Sequence, residues 1–245
     1  MKQFFKYVFA TIIGVLLCLV VFTFIVLGLI SSAAHSDKKT EVEANSVLRL
    51  AFNYEIKERT SANPLSGIPF LNLSVKKSIG LNDILASIKR AKNDSNIKGI
   101  YLDESYMLSG QATTEEIRNA LLDFKKSGKF IIAYGEIYTQ GAYYLASVAD
   151  KVYINPKGIF EFRGFHSEYS FFKGALDKLG IEAQIIKVGT FKSAVEPFIL
   201  DKMSEANRLQ VNSYLGSLYD YFLTNIGKSR NLSKDSLFNI ANTLK

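Results

Sequence analysis

The sequence predicts an α/β fold, with a parallel sheet covered by helices and one membrane-spanning helix ahead of it. Three observations carry this. Short runs rich in Ile, Val and Tyr alternate with amphipathic stretches of about 9–14 residues, the pattern of parallel βαβ units. Between Lys6 and Asp37 there is no Asp, Glu, Lys or Arg. The rest of the 245-residue chain is long and apolar enough to bury a core.

The uncharged stretch comes first. Tyr7 to Ile30 contains large aliphatics and Phe, with only Thr11 and Thr23 clearly polar. As a helix it would extend roughly 36 Å, enough to cross a hydrocarbon core of about 30 Å. A threonine hydroxyl in such a helix can donate back to its own backbone. A cleavable signal peptide has an apolar region of about 7–15 residues, so length favours an uncleaved anchor despite Ser32-Ala33-Ala34, which could pass as a cleavage site. Lys2 and Lys6 favour a cytoplasmic N-terminus, partly offset by Lys38 and Lys39. The bulk of the chain would then lie beyond the membrane.

Residues 1–36 read as the anchor and the start of a linker, and 37–80 as linker plus a first strand, Ser46 to Phe52. Asn63-Pro64, Ser66-Gly67 and Pro69 make 59–80 loop-like. Residues 81–245 read as the α/β domain. Leu81 to Ala91 places Ile84, Leu85, Ile88 and Ala91 on one helical face. Lys98 to Asp103 is a strand. A helix opens at Thr113-Thr114-Glu115-Glu116 and stops at Ser127-Gly128. Then come strand Lys129 to Tyr134, helix Gln140 to Val148, strand Lys151 to Ile154, helix Tyr169 to Leu179 and strand Ala183 to Val188. A long helix runs from Ser204 to about Ile226, with Leu209, Leu215 and Leu218 among its apolar positions. The last helix carries Leu237, Ile240, Ala241 and Leu244 on one face. It stops without a Gly or Pro signal, which fits a truncated chain as well as a natural end.

Several chemistries are disfavoured. Cys18 is the only cysteine and lies in the span, so neither an intramolecular disulfide nor a Cys-based metal site is expected. His35 and His166 are far apart and in no metal-ligand spacing. There is no Gly-x-Gly-x-x-Gly, Walker loop or Gly-x-Ser-x-Gly elbow. No metal or cofactor is expected. The mild basic excess is spread along the chain and does not cluster with aromatics, so nucleic acid is not an expected partner. Anionic lipid is the better match for that charge.

The unusual segment is Lys187 to Ser204, KVGTFKSAVEPFILDKMS. Lys192 stands between Phe191 and the small pair Ser193-Ala194. Burial among apolar groups favours the neutral amine that a general base needs, and small neighbours leave room for a nucleophile. An ordinary surface lysine is the competing reading. Glu196, four residues on, is a possible ion-pair partner that would hold the lysine charged and defeat a base.

The segment GTFKSAVEPF resembles the Lys-bearing motif of SppA-type signal peptide peptidases. SGKFIIAYGEIYTQGAYYLASVADKVYINPKG before it and ILDKMSEANR after it agree in order. The resemblance covers about Leu81 to Asn231, and the N-terminal span matches the long form of that family. It implies a crotonase/ClpP-like fold and a membrane-anchored serine endopeptidase that degrades cleaved signal peptides. It further implies a bacterial inner-membrane location with the bulk of the chain periplasmic. The implied chemistry is a Ser/Lys dyad, with Lys192 as general base and backbone amides holding the oxyanion.

In the long form the Lys and the Ser reside in two similar halves, and this chain resembles the first. The Ser of the second half stands in an Ala-Ser-Gly-Gly-Tyr type segment. The matching segment here is Thr139-Gln140-Gly141-Ala142-Tyr143, with Gln140 at the nucleophile's place, so this half is expected to be inactive alone. Ser147 and Ser193 lie outside the motif position and read as packing residues. Gly110 reads as a remnant of the oxyanion turn. The implied partners are signal peptides or other apolar peptides, the lipid bilayer, and a homo-oligomer that brings in the Ser-bearing half. The alternative is a non-catalytic, membrane-tethered crotonase-like scaffold or peptide-binding half.

Overall fold

The computed structural model describes residues 2–34, 41–52, 54–60, 78–103 and 107–243. The first element, α1 (Lys2–Ala34), is one continuous helix whose side chains from residue 2 to 28 are almost all exposed. It is long and apolar enough to cross a membrane, a property it shares with signal sequences. The Thr11 hydroxyl donates to the Tyr7 carbonyl at 2.9 Å and the Thr23 hydroxyl to the Leu19 carbonyl at 2.8 Å, so both polar groups are satisfied within the helix. This helix belongs to one compact unit of the chain, and the α/β elements belong to another.

The α/β unit is built on a four-stranded parallel sheet. Its strands are β1 (Ser46–Leu50), β4 (Ile97–Asp103), β5 (Phe130–Tyr138) and β6 (Lys151–Phe160), adjacent in that order. Between β1 and β4 come two three-residue strands, β2 (Glu55–Lys57) and β3 (Ser78–Gly80), paired in parallel with Ile56 opposite Ile79. Helix α2 (Leu81–Asn93) precedes β4, α3 (Gln111–Lys125) links β4 to β5, and α4 (Gln140–Ala146) links β5 to β6. Parallel neighbours require such crossovers, and helices with one apolar face supply them. The mixed α/β class with a parallel sheet and a preceding apolar helix is therefore as the sequence predicts.

The main core forms where the two periodicities meet. Helix α2 buries Leu81, Ile84, Ile88 and Ala91, and β4 contributes Ile97, Ile100 and Leu102. Ile117, Leu121 and Phe124 of α3 and Ile131 and Ala133 of β5 complete it. Where β5 and β6 shift register near Gly135 and Ile137, Gly158 lies so close to the Glu136 carbonyl that a Cβ there would collide with it.

Past β6 the chain changes character. Helix α5 (Lys173–Lys178) starts later than the expected Tyr169. The expected strand Ala183 to Val188 is absent: these residues have no regular structure, with Ile186 97% and Val188 82% exposed. A β-prone run becomes a strand only with a neighbouring ladder to pair with, and this one has none. A 3-10 turn (Ser193–Val195) leads directly into α6 (Glu196–Ile199). Helix α7 (Glu205–Arg230) runs past the expected end at Ile226 to an Asn231 cap in the left-handed conformation, φ 54°. Of its expected apolar positions, Leu209 is exposed, and Leu215 and Leu218 are only half-buried. Burial comes instead from Phe222, Leu223 and Ile226, which pack with Tyr144 of α4 and Leu237 of α8 (Lys234–Thr243). On α8, Ala241 is also buried, and Leu244 lies outside the described residues.

A buried arginine joins these helices. Arg118 of α3 is only 2% exposed. Its guanidinium donates to the Tyr144 carbonyl (3.1 Å), the Ser147 hydroxyl (3.2 Å), the Asn225 carbonyl (2.8 Å) and the Ser229 hydroxyl (2.7 Å). It also lies 4.6 Å from the centre of the Tyr144 ring. Burial pulls its pKa below the ordinary value, with Tyr144 and Glu115 opposing. The Tyr144 hydroxyl donates to Glu115 at 2.5 Å, accepts from Asn225 at 2.7 Å, and is pushed above its ordinary pKa by burial first and by Glu115 second. Replacing Arg118 with Leu removes four hydrogen bonds, two of them buried, and is expected to lower unfolding stability by about 3 kcal/mol in urea titrations. Arg49→Leu, which removes an exposed ion pair with Asp103, is expected to cost less than about 1 kcal/mol.

Candidate active-site segment

Lys192 closes a tight bend. Gly189 has φ 96°, a conformation that glycine adopts without strain, and a Cβ there would meet the Lys192 Cγ at 3.9 Å. The chain thus turns back over its own lysine stem. Lys192 has φ −90° and ψ 77° and sits at the mouth of the 3-10 turn. It lies in an open hollow lined by Ile186, Val188, Phe191 and Val195, together with Lys187 and the small pair Ser193-Ala194. The apolar neighbours read from the sequence are present, but they do not close over the lysine, which is exposed. Residues 183–188 do not join the sheet, so among the described residues no second layer covers the hollow.

Glu196 does not pair with Lys192. It is 1% exposed, and its carboxylate accepts from the Ser204 hydroxyl at 2.6 Å, the Ser204 amide at 3.2 Å and the Asn207 side-chain amide at 3.0 Å. Ser204 is also the N-cap of α7, its hydroxyl accepting from the Asn207 amide at 3.2 Å. The acceptor thus sits at the positive end of a long helix. Burial alone would raise the Glu196 pKa, but the bonds from Ser204 and Asn207, aided by Lys187, outweigh it and hold the carboxyl below its ordinary range. The pairing of Glu196 with Lys192 that would defeat a base is therefore not formed.

Gln140 is the first residue of α4, half-buried, directly after the Thr139 cap, whose hydroxyl accepts from the Ala142 amide at 3.4 Å. No hydrogen bond or ion pair joins Gln140 to Lys192 among the described residues, and Gln140 does not line the Lys192 hollow. Gly110 caps α3 in an ordinary extended conformation, so that helix begins two residues before the expected Thr113. Ser147 is fully buried and committed to Arg118 and the Tyr144 carbonyl, the packing role its position predicts. Ser193 is half-buried in the 3-10 turn. Among the described residues no group of three or more His, Cys, Asp and Glu could hold a metal ion.

Residues 123–244 match Peptidase family S49, a stretch that contains α4, Lys192, the Glu196 contacts and α7. Protease 4 of Salmonella typhi is 42% identical over 159 residues, which is 64% of this chain and 26% of that protein. Protease 4 of Haemophilus influenzae is 37% identical over 164 residues, covering 66% of this chain and 27% of the relative. The chloroplastic serine protease SPPA of Arabidopsis thaliana is 28% identical over 201 residues, covering 82% and 28%. Over this stretch the chain is an SppA-type member of the S49 family.

The S49 fold is ClpP/crotonase-like, in agreement with the parallel sheet and its crossover helices. The chain spans about a quarter of the length of these relatives. Within the S49 stretch, sequence reasoning named Lys192 and weighed Glu196 only as its partner. The signal for the actual contact was present in Ser204-x-x-Asn207, a helix start eight residues beyond the glutamate.

Because the folded Glu196 carboxyl titrates below its unfolded counterpart, its contribution to stability is complete above about pH 4.5 and is lost as pH falls through the lower folded value. Protection of the Ser204 amide against hydrogen exchange, corrected for intrinsic rate, is expected to fall over that acid range. Glu196→Gln is expected to remove the pH dependence.

Proposed function

We propose that this chain is the Lys-donating half of a membrane-anchored serine endopeptidase, with Lys192 as general base. The observation that carries the reading is the S49 match, which runs through the Lys192 segment and its Ser204 contacts. In this reading Lys192 Nζ takes the proton from a serine hydroxyl on another half. The serine oxygen attacks the peptide carbonyl carbon, and the resulting ammonium returns the proton to the leaving amine. Water then hydrolyses the acyl-enzyme.

Laying the second half over the open hollow would exclude water from Nζ and favour the neutral amine. Helix α1 would hold the domain at a bacterial inner membrane, N-terminus cytoplasmic and α/β unit periplasmic, beside apolar substrates such as cleaved signal peptides. Protomers would assemble so that Lys and Ser meet.

A non-catalytic, membrane-tethered scaffold is the second reading. Gln140 at the start of α4 favours it, because a carboxamide is not a nucleophile.

The two readings part in the natural full-length polypeptide that carries these residues. Lys192→Ala is expected to lower kcat on an apolar fluorogenic peptide by about a thousandfold while leaving the unfolding transition unchanged. Unchanged turnover would remove Lys192 from the chemistry and leave the scaffold reading.

A further inference from the structure

We propose that Glu196 is the positioning residue of Lys192, acting through its buried contacts with the start of α7. The inference rests on the reading of Lys192 as the general base. From Asp150 through Tyr221, Glu196 and Asn207 are the only buried side chains, and they are bonded to each other. No apolar side chain in that stretch is fully buried; those nearest Lys192, such as Val195, Ile199 and Leu200, are only half-buried. The fixed point is polar.

The path from that point to the lysine is short and stiff. The 3-10 turn that begins after Lys192 ends on Glu196, and α6 continues from it without a break, the Leu200 amide donating to the Glu196 carbonyl at 2.9 Å. Only the three residues of the 3-10 turn separate Lys192 from Glu196. From the other side, the Phe172 amide donates to the Pro197 carbonyl at 2.7 Å and the Phe172 and Phe198 rings stack at 6.1 Å. Fixing the Glu196 carboxylate against Ser204 and Asn207 therefore fixes the Lys192 Cα. The carboxylate is spent on α7, which leaves Nζ unpaired among the described residues. A base displaced by about 1 Å can lose about a hundredfold in rate.

The test is steady-state kinetics in the natural full-length polypeptide, with active sites counted by a serine-directed covalent inhibitor. Glu196→Ala is expected to lower kcat about a hundredfold while KM stays within about twofold. Glu196→Gln rescues: its oxygen accepts from the Ser204 amide and Asn207, its nitrogen donates to the Ser204 hydroxyl, and kcat is expected within about fivefold of the parent. Ser204→Ala, which removes one contact, is expected to lose about tenfold and serves where Glu196→Ala fails to fold.

Parental kcat in both Glu196→Ala and Ser204→Ala, with Lys192→Ala inactive, would overturn the positioning role and leave the base assignment standing. Equal losses in Glu196→Gln and Glu196→Ala would assign the effect to charge and likewise overturn positioning. Turnover in Lys192→Ala would overturn both.

Discussion

The arrangement beyond the sheet depends on one buried guanidinium. Arg118 leaves α3 and meets α4 at the Tyr144 carbonyl and Ser147, and α7 at Asn225 and Ser229. Three helices are thereby fixed to a single planar donor group. An arginine can do this where an aliphatic residue cannot, because its rigid fork reaches several acceptors at once. The aromatic cluster of Tyr144, Phe222, Phe162 and Phe165 then closes around the joint. Only the C-terminal part of α7 shares in that burial. The helix is about 39 Å long, and its first half carries the chain away to the Glu196 contacts.

The α/β unit therefore has two kinds of order. Its sheet is held by apolar packing in the usual way, with Ile84, Ile100, Leu121 and Ile131 fully out of water. The Lys192 segment is held by directional hydrogen bonds at Glu196, Ser204 and Asn207, while Ile186, Val188 and Phe191 face solvent. Directional bonds define position without closing the surface. That combination gives a lysine with a set backbone and an accessible amine, which suits a group completed by a second surface.

Much of this was legible in the sequence because it follows from period and punctuation. Ile84, Ile88 and Ala91 announce α2, Gly128 ends α3's turn, and Ser204 opens α7. Strands β4, β5 and β6 begin within two residues of where their apolar runs begin. The strands β2 and β3 were not legible, since three residues are too few to show alternation, and β3 fell in a stretch that reads as loop. Ala183 to Val188 misled for the opposite reason: its residues favour a strand, but pairing is a tertiary fact. Arg118 sits on a helix like any surface arginine, and nothing local marks it as buried. For Glu196, spacing pointed to Lys192, whereas the donors of Ser204 and Asn207 won it.

The catalytic role of this half depends on whether Lys192 meets a serine. The most direct measurement is an experimental structure of the natural full-length polypeptide with its nucleophile visible. The account predicts Lys192 Nζ within about 2.6–3.2 Å of a serine hydroxyl from another half, with the hollow of Ile186, Val188 and Phe191 covered. A Lys192 side chain left in solvent, with no serine in reach in the assembled protein, would contradict it.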